Sequence, residues 1–325
     1  MINAGIVGGS GYTAGELIRL LLHHPETEID FIFSTSRAGK PVTSVHQDLL
    51  GDTNLTFSSE INPEVDVLFL CTGHGNSTEV LQAYTLSGRT KIIDLSRDFR
   101  LSDSNILNAR KFVYGLPELQ KDMIASAENI ANPGCFATAI QLALLPLAYA
   151  SKLENDIHIH GITGATGAGS SLSETTHFSW RSNNVSIYKA LSHQHIGEVE
   201  QSLKQLSPSF KSKLNFIPVR GNFSRGIFIS AYTQSGLSLE KAQSLFEKFY
   251  ADTPFVQLSD QSLHLKQVAN TNKCLLYLHK KDGKLLITSI IDNLLKGASG
   301  QALQNMNLMF GLDESDGLQL KATYF

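Results

Sequence analysis

Short apolar runs alternate with amphipathic segments along the first third of the chain. The run Ile2–Val7 is followed by Gly15–His24, in which leucine and isoleucine recur on one side at helical spacing. Further strand-like runs follow, separated by helical segments: Glu28–Phe33, Val65–Cys71 and Lys91–Leu95. Strands that alternate with helices predict βαβ units, and therefore a parallel sheet joined by right-handed crossovers.

A different pattern begins after Cys135. The segment Phe136–Ala150 is almost wholly apolar and is predicted to be a helix. Longer strand-like runs come next: Asp156–Thr163, Leu214–Val219, Gly226–Thr233, Cys274–Lys280 and Leu285–Asp292. Helices are predicted between and after them, near Glu198–Leu206, Leu239–Tyr250 and Ser299–Phe310. This mixture predicts an α+β domain whose antiparallel or mixed sheet is backed by helices.

The predicted fold class is therefore α/β, with two domains. A length of 325 residues suits two domains of ordinary size. A Rossmann-type parallel sheet is expected over residues 1–134 and 299–325, because the last helix is expected to return to the first domain. The α+β domain is expected over residues 135–298.

Composition excludes several classes of partner. The formal net charge is −3 and no long run of Lys and Arg occurs, so neither nucleic acid nor an anionic membrane is expected as a partner. The apolar stretch Ala137–Ala150 is too short to span a bilayer. Cys71, Cys135 and Cys274 are widely spaced and form no disulfide framework or CxxC pair. Because no cleavable leader is recognised either, the sequence predicts a cytoplasmic protein that acts on a small molecule.

A glycine-rich turn, Gly8–Gly15, joins the first predicted strand to the first predicted helix. It meets the dinucleotide pattern as Gly9-x-Gly11-x-x-Ala14, and Gly8-x-x-Gly11 offers a second register. Such a turn lets the backbone approach a pyrophosphate and directs a helix N-terminus at the anion. Glycines also form ordinary βα turns, but the position at the start of a βαβ unit favours a nucleotide site.

The end of the second predicted strand distinguishes between the two nicotinamide cofactors. NAD sites usually place an acid there, which binds the ribose 2′-hydroxyl. Ser34–Lys40 contains no acid but supplies hydroxyls and two cations, Arg37 and Lys40, which suit a 2′-phosphate. An ordinary polar loop is the alternative, and the composition favours NADP over NAD.

Cys135 is the candidate nucleophile. It follows Asn132-Pro133-Gly134 and precedes an apolar helix, so the turn is expected to place its sulfur at a helix N-terminus. There the macrodipole and free N–H groups stabilise a thiolate and could hold an oxyanion. A buried core thiol is the alternative reading of this cysteine, whereas Cys71 and Cys274 lie in strand-like runs and are interpreted as structural.

The segment Ser192–Glu198 supplies candidate partners for a thiol. If its first residues are extended, His193 and His195 point to the same side, and Glu198 could orient one imidazole. A thiol, a histidine and a carboxylate together follow the logic of a catalytic triad. A His-x-His pair could instead bind zinc, but no further ligands stand at metal spacing nearby, so no metal is predicted.

Two polar segments remain. Thr163–Ser171 is rich in glycine and hydroxyl groups, and its backbone N–H groups suit a cofactor or phosphate, with a flexible surface loop as the alternative. Asp94–Arg100 follows the fourth predicted strand, at the sheet edge where ligands of open α/β sheets bind. Arg97 or Arg100 could clamp a phosphate or carboxylate there, and a surface ion-pair cluster is the alternative.

Eight motifs in order resemble the N-acetyl-γ-glutamyl-phosphate reductases, the arginine-biosynthesis members of the aspartate-semialdehyde dehydrogenase-like enzymes. The eight motifs are Gly8-x-x-Gly11-Tyr12, Asp94–Arg100, Tyr114–Glu118, Asn132–Cys135, His193-x-His195-x-x-Glu198, Pro218–Gly226, Asp292–Ala298 and Gln304–Gly311. The resemblance covers nearly the whole chain. It implies the two-domain fold of the glyceraldehyde-3-phosphate and aspartate-semialdehyde dehydrogenases, in which residues 135–298 form the catalytic, substrate-binding and oligomerisation domain.

The resemblance also implies an activity and its residues. The expected reaction is NADPH-dependent reduction of an N-acetyl-glutamyl phosphate through a thioester on Cys135, by a dimer or tetramer. His193 or His195 would act as acid or base, with Glu198 as the third member. Substrate contacts are expected from Arg100, Asn132, Ser170, Tyr188 and Arg225. Contacts to NADP(H) are expected from Gly8, Ser10, Gly11, Tyr12, Thr13, Ser36, Arg37, Gly73, His74, Gly167, Gly169 and Asn293.

The sequence departs from the common pattern of the family at three places, and the residues leave alternative functions open. Ala14 and Gly15 are exchanged relative to the common nucleotide turn, and Cys71–Gly75 lacks a proline found in many members. Phe136-Ala137-Thr138 stands where Tyr-Pro-Thr is frequent. The alternatives are N-succinyl-glutamyl, aspartyl or carrier-bound aminoadipyl phosphate as the substrate, or a non-catalytic NADP-binding sensor.

Overall fold

The computed structural model describes residues 1–73 and 75–325. The described residues form two compact units. The first unit contains residues 1–133 and 298–319, and the second contains residues 134–297 and 320–325. The prediction that the whole C-terminus belongs with the first domain is wrong for residues 320–325. Thr323 N–H donates to the Ala269 carbonyl, and the Tyr324 ring lies 5.4 Å from that of His264, so this tail packs on the second unit.

The strands and helices are as follows, in chain order: β1 (Ile2–Val7), α1 (Tyr12–Leu22), β2 (Thr27–Phe33), β3 (Val67–Leu70), α2 (Asn76–Ala83), β4 (Lys91–Asp94), β5 (Ile106–Leu107), β6 (Arg110–Lys111), β7 (Val113–Tyr114), α3 (Pro117–Ala125), β8 (Asn129–Ala131), α4 (Cys135–Tyr149), β9 (Ile157–Thr163), α5 (Phe178–Arg181), β10 (Ser186–Ile187), α6 (His195–Leu206), β11 (Leu214–Arg220), β12 (Ile227–Gln234), α7 (Leu239–Phe249), β13 (Val256–Leu258), β14 (Cys274–Lys281), β15 (Lys284–Ile291) and α8 (Gly300–Met309).

A parallel sheet forms the core of the first unit. Its strand order among the described residues is β2-β1-β3-β4-β8-β7, with every neighbouring pair parallel. Strand β3 is apolar and buried along its length, and three of the four residues of β4 are buried, because helices cover such a sheet on both faces. This confirms the predicted Rossmann-type sheet. The carboxyl ends of β1, β3, β4 and β8 lie together at one edge, where Gly8, Leu95 and Asn132 follow their strands.

A mixed sheet forms the core of the second unit, as predicted. Its order is β10-β11-β9-β12-β15-β14-β13, in which β9 pairs parallel with β11 and antiparallel with β12. Residues of β9 alternate between buried and exposed, the period expected of a sheet covered on one face. Helix α4 is buried on nearly all sides and packs against α6, β12 and β15. Its apolar residues on every face therefore reflect burial inside the unit.

Within residues 1–73 and 75–325, no helix is long and apolar enough to cross a membrane.

Candidate active site

The turn after β1 is shaped by close contacts. Gly8 has a φ of +83°, and a Cβ there would lie 2.6 Å from the Cys71 carbonyl oxygen. At Gly11 a Cβ would approach only the Gly8 oxygen, at 3.9 Å, so that side of the turn is open. Gly11 is the N-cap of α1, and no side chain caps this helix. The turn therefore presents backbone N–H groups at a helix N-terminus, an arrangement that suits a pyrophosphate.

Ala14 and Gly15 each fit the position that they occupy. Ala14 is fully buried, whereas a Cβ at Gly15 would lie 2.5 Å from His46 Nδ1. His46 Nε2 in turn lies 2.7 Å from the Gly9 carbonyl oxygen. The imidazole thus fills the space beside Gly15 and bonds to the turn, which explains why the small residue and the glycine are exchanged here.

The other residues of the turn that were predicted to contact the cofactor lie at or near the surface. Tyr12 is exposed, while Ser10 and Thr13 are partly buried. The Thr13 carbonyl accepts a hydrogen bond of 2.7 Å from Ser299 Oγ, just before α8. The last helix therefore helps to hold the start of α1 within the first unit.

The polar segments after β2 and β3 are exposed. Ser36 and Arg37 follow β2, and Gly73 follows β3. His74, also predicted to bind the cofactor, lies outside the described residues. The exposed hydroxyl and guanidinium after β2 suit a 2′-phosphate by charge and hydrogen bonding.

The carboxylates of the Asp94–Arg100 segment accept hydrogen bonds from neighbouring residues of the first unit. Buried Asp94 accepts hydrogen bonds from Ser77 Oγ at 2.6 Å and from Ser96 Oγ at 2.7 Å. Asp98 accepts one of 2.7 Å from the Gly75 N–H, at the start of α2. These contacts are those of a segment that fixes the carboxyl edge of the sheet.

Arg100 and Asn132, both predicted to hold substrate, are 5% and 1% exposed. Arg100 Nε donates to the Asn132 carbonyl at 2.9 Å, and its Nη2 to the Leu95 carbonyl at 3.0 Å. Asn132 Nδ2 donates to the Ala298 carbonyl at 3.0 Å, and its Oδ1 accepts from Asn305 at 3.0 Å. These contacts position the backbone that leads into Pro133, and substrate binding by either residue stays a prediction.

Cys135 is the first residue of α4 and is partly exposed. Gly134 is the N-cap, without a capping side chain, and its carbonyl accepts a hydrogen bond of 2.8 Å from the Thr138 N–H. The sulfur therefore lies at the positive end of the helix macrodipole, next to N–H groups that can stabilise a thiolate or an oxyanion.

Glu198 connects the turn before Cys135 to the histidine pair. Its side chain is buried, and Oε2 accepts a hydrogen bond of 2.9 Å from the Gly134 N–H. Its other oxygen, Oε1, lies 3.9 Å from His195 Nε2. One carboxylate thus faces both the N-cap of the nucleophile helix and an imidazole.

The two histidines lie together, but not on an extended segment as predicted. Gln194 has helical dihedral angles, φ −59° and ψ −26°, and His195 begins α6. The two rings are 4.7 Å apart, and His193 Nδ1 accepts a hydrogen bond of 3.3 Å from the His195 N–H. A turn of the backbone, rather than strand alternation, brings them to one side.

His193 is enclosed by aromatic rings. Its ring lies 5.6 Å from that of Phe136, 5.7 Å from Tyr188 and 5.5 Å from Phe216. Burial, and then the charge of Lys189, lowers the pKa of His193 to about 4. This imidazole is therefore neutral near pH 7.

Tyr188 belongs to the aromatic cluster that surrounds His193, together with Phe136, the residue after Cys135. Burial, and then the charge of Cys135, raises the pKa of the Tyr188 hydroxyl, while Arg220 opposes the rise. The Arg220 guanidinium carbon is 4.8 Å from the centre of the Tyr188 ring. Of the predicted substrate contacts, Tyr188 thus joins the cluster around the nucleophile.

Arg225 and Asn293 have partners within the second unit. Arg225 forms a two-point ion pair with buried Asp292, through Nε–Oδ2 at 2.9 Å and Nη2–Oδ1 at 3.2 Å. Asn293 Oδ1 accepts from the Gly226 N–H at 2.7 Å, and its Nδ2 donates to Thr166 Oγ1 at 3.1 Å. The two side chains join the loop before β12 to the loops that follow β9 and β15. Ligand contacts by Arg225 and Asn293 stay predictions.

The Thr163–Ser171 loop is largely exposed at its glycine-rich end. Gly167, Gly169 and Ser170 are exposed, and Gly169 has a φ of +81°. Thr166 ties the beginning of the loop to the Ser224 carbonyl through its hydroxyl, at 2.6 Å. The loop is therefore anchored at one end and open at the other.

The remaining cysteines are structural, as predicted. Both are buried, and burial raises the pKa of Cys71 to about 12. Cys274 Sγ lies 3.5 Å from Ser289 Oγ inside the second sheet. Within residues 1–73 and 75–325, no cluster of His, Cys, Asp and Glu side chains could hold a metal ion.

Comparison with known proteins gives the family. Residues 3–127 match the semialdehyde dehydrogenase NAD-binding domain, and residues 135–293 match the semialdehyde dehydrogenase dimerisation domain. N-acetyl-gamma-glutamyl-phosphate reductases of Christiangramia forsetii and Flavobacterium johnsoniae are 61% and 58% identical, over the full length of each chain. The chain belongs to the N-acetyl-gamma-glutamyl-phosphate reductase family.

More distant structures share the fold of this reductase family. Aspartate semialdehyde dehydrogenase II from Vibrio cholerae aligns with a TM-score of 0.71, covering 96% of this chain and 98% of that one, at 16% identity. The corresponding enzyme of Francisella tularensis gives 0.70, covering 95% and 100%. The expected semialdehyde dehydrogenase fold is confirmed.

Sequence reasoning missed two residues, one beside Cys135 and one beside Tyr188. A Cβ at Gly297 would lie 2.8 Å from the Cys135 Cβ, so the glycine in the Asp292–Ala298 motif makes room for the reacting side chain. Arg220 ends β11 next to Tyr188. The motif itself was the available signal for Gly297, whereas an arginine at the end of a strand carries no local signal.

Proposed function

We propose that the chain is an NADPH-dependent reductase that converts N-acetyl-L-glutamyl 5-phosphate to N-acetyl-L-glutamate 5-semialdehyde and phosphate, a step of arginine biosynthesis. The observation that carries this proposal is the Glu198 carboxylate, which bonds the Gly134 N–H beside Cys135 and faces His195. The full-length relatives support the substrate.

NADP(H) is the cofactor, and the first unit has residues that fit it. The Gly8–Gly11 turn and the N-terminus of α1 would hold the pyrophosphate, and Ser36 and Arg37 would bind the 2′-phosphate. Bound NADPH supplies the hydride.

Cys135 divides the reduction into two easier steps. Its thiolate attacks the 5-acyl carbon, and the carbon–oxygen bond to phosphate breaks, which leaves a thioester on the sulfur. N–H groups at the start of α4 stabilise negative charge on the acyl oxygen. After the hydride has been added, the tetrahedral hemithioacetal loses the thiolate and releases the semialdehyde.

His195 is assigned as the proton carrier. Its Nε2 faces the Glu198 carboxylate at 3.9 Å. His193 is neutral near pH 7, because burial lowers its pKa to about 4, and its Nδ1 is taken by the His195 N–H. His195 therefore donates a proton to the acyl oxygen as the hydride is added and takes it back when the hemithioacetal releases the thiolate. His193 positions the backbone of His195.

The chain is further proposed to be a cytoplasmic homo-oligomer, a dimer or a tetramer. The support for oligomerisation is that residues 135–293 match a dimerisation domain. The cytoplasmic location is supported by the cysteine pattern of the sequence.

The test is the reverse reaction, in which NADP⁺ is reduced in the presence of N-acetyl-glutamate semialdehyde and phosphate. Turnover should require phosphate and should be far slower with aspartate semialdehyde. Cys135→Ser should lower kcat by at least about a thousandfold, because the nucleophile is lost. Cys274→Ala is the matched control and should retain activity. Near wild-type turnover by Cys135→Ser, or turnover without phosphate, would contradict the proposal.

A further inference from the structure

Arg220 lies at the end of β11, where this strand pairs with β9 and β10. Its guanidinium covers the Tyr188 ring at 4.8 Å, and its Nε is buried without a hydrogen-bond partner. No carboxylate of the described residues forms an ion pair with it. A buried donor on a charged group is costly to leave unsatisfied, so this arrangement indicates a missing acceptor.

A second cation increases the need for an anion. Arg181 is buried, and its guanidinium donates to three carbonyls, of Thr175, Asn184 and Arg220, and to Ser186 Oγ. Burial, and then the charge of Arg220, lowers the pKa of Arg181. The donors of Arg181 are therefore used in hydrogen bonds within the protein. Of the two arginines, Arg220 is the one with a donor, Nε, that has no hydrogen-bond partner.

Tyr188 connects Arg220 to the cluster around the histidine pair. Its ring lies 5.7 Å from that of His193, and the His193 ring lies 5.6 Å from that of Phe136, the residue after Cys135. An acyl chain bound through its carbon to Cys135 would therefore extend within this cluster. Its leaving phosphate is attached to the reacting carbon, whereas its carboxylate lies farther along the chain.

We propose that Arg220 is a specificity-determining residue whose partly exposed guanidinium binds a carboxylate of the acyl substrate. The planar guanidinium fork matches a carboxylate in two-point geometry, and the charge of Arg181 strengthens the local positive potential. The inference rests on the proposed function, since it concerns the substrate of that same site. The carboxylate is either the α-carboxylate of the glutamyl group or a carboxylate on the N-acyl group.

The experiment measures reverse kinetics for wild type, Arg220→Met and Arg220→Lys, with N-acetyl- and N-succinyl-glutamate semialdehydes. Arg220→Met should raise KM for the semialdehyde about 10- to 100-fold, the effect of losing a hydrogen bond between charged groups. Arg220→Lys should recover part of this loss, and KM for phosphate should stay the same. Equal losses for both semialdehydes assign the α-carboxylate, and a loss confined to the succinyl compound assigns the N-acyl carboxylate.

A binding measurement separates this inference from the function itself. N-acetyl-glutamate and N-succinyl-glutamate should protect Cys135 from alkylation in wild type, and less well in Arg220→Met. Arg89→Met, at an exposed arginine paired with Glu64 at 3.0 Å, is the matched control and should behave as wild type. An unchanged semialdehyde KM and unchanged protection in Arg220→Met, or a raised KM for phosphate alone, would overturn the inference. Wild type that turns over neither semialdehyde would instead contradict the proposed function.

Discussion

The two units present their functional groups in opposite ways. At the sheet edge of the first unit, Asp94, Asp98 and Arg100 bond to neighbouring side chains and backbone. What the Gly8–Gly11 turn offers a ligand is backbone N–H groups. In the second unit, by contrast, the side chains of Cys135, Glu198 and His195 converge around one helix N-terminus.

This difference follows from what each unit has to do. A pyrophosphate is held by many weak donors, which backbone N–H groups supply without titrating. Acyl transfer needs a nucleophile and a proton carrier whose pKa values depend on their surroundings. Substitutions in the second unit should therefore affect the chemical step, whereas those in the first should affect cofactor affinity.

After the loss of Cys135, the largest effect is expected at His195. His195→Asn should lower kcat about 10²- to 10⁴-fold, because general acid catalysis is lost while a polar side chain is kept. His193→Asn should cost less, since that imidazole is neutral and acts through position. Pre-steady-state assays of aldehyde release with each variant measure the difference. His158→Asn, at an exposed histidine of β9, serves as the control. A greater loss in His193→Asn than in His195→Asn would reverse the two roles.

The second prediction concerns the burial of His193. Its pKa is about 4 in the folded chain and about 6.5 when unfolded, so between these values the unfolded state binds more protons. The contribution of this group to stability is therefore complete above about pH 6.5, and it is lost as the pH falls toward 4. The expected loss is about 3 kcal/mol.

Urea unfolding of wild type and His193→Gln, at several pH values between 4 and 7, measures this contribution. The variant should show a shallower decline of its unfolding free energy with falling pH, because it lacks the titrating group. Parallel declines in the two proteins would show that His193 is accessible to protons in the folded state.

Local sequence patterns predict the parts of the fold that are long and periodic. The runs that became β1, β3 and β4, and the apolar segment of α4, are recognisable because their burial extends over whole elements. Strands β7 and β8 are only two and three residues long and were missed, since so short a run has no measurable period.

The candidate residues of the site could be recognised from sequence motifs, but the contacts between them could not. The motifs identified Cys135, the histidine pair and Glu198 as candidates, but the bond from the Gly134 N–H to Glu198 joins residues 64 positions apart. The tertiary fold alone determines that contact. The same holds for Arg100, whose motif gave no signal of the bonds that its Nε and Nη2 donate to backbone carbonyls.

The smallest effect is expected at Arg37, and it tests whether the first unit recognises its ligand mainly through the backbone. Arg37 is exposed after β2, and the 2′-phosphate distinguishes NADPH from NADH. Arg37→Ala should raise KM for NADPH about tenfold and leave KM for NADH unchanged, because only the phosphate loses a charged partner. Steady-state assays with both cofactors measure the change, with Arg89→Ala as an exposed control in the same unit. If the NADH constant rose equally, Arg37 would be supporting the turn itself, and side chains would matter as much in the first unit as they do around Cys135.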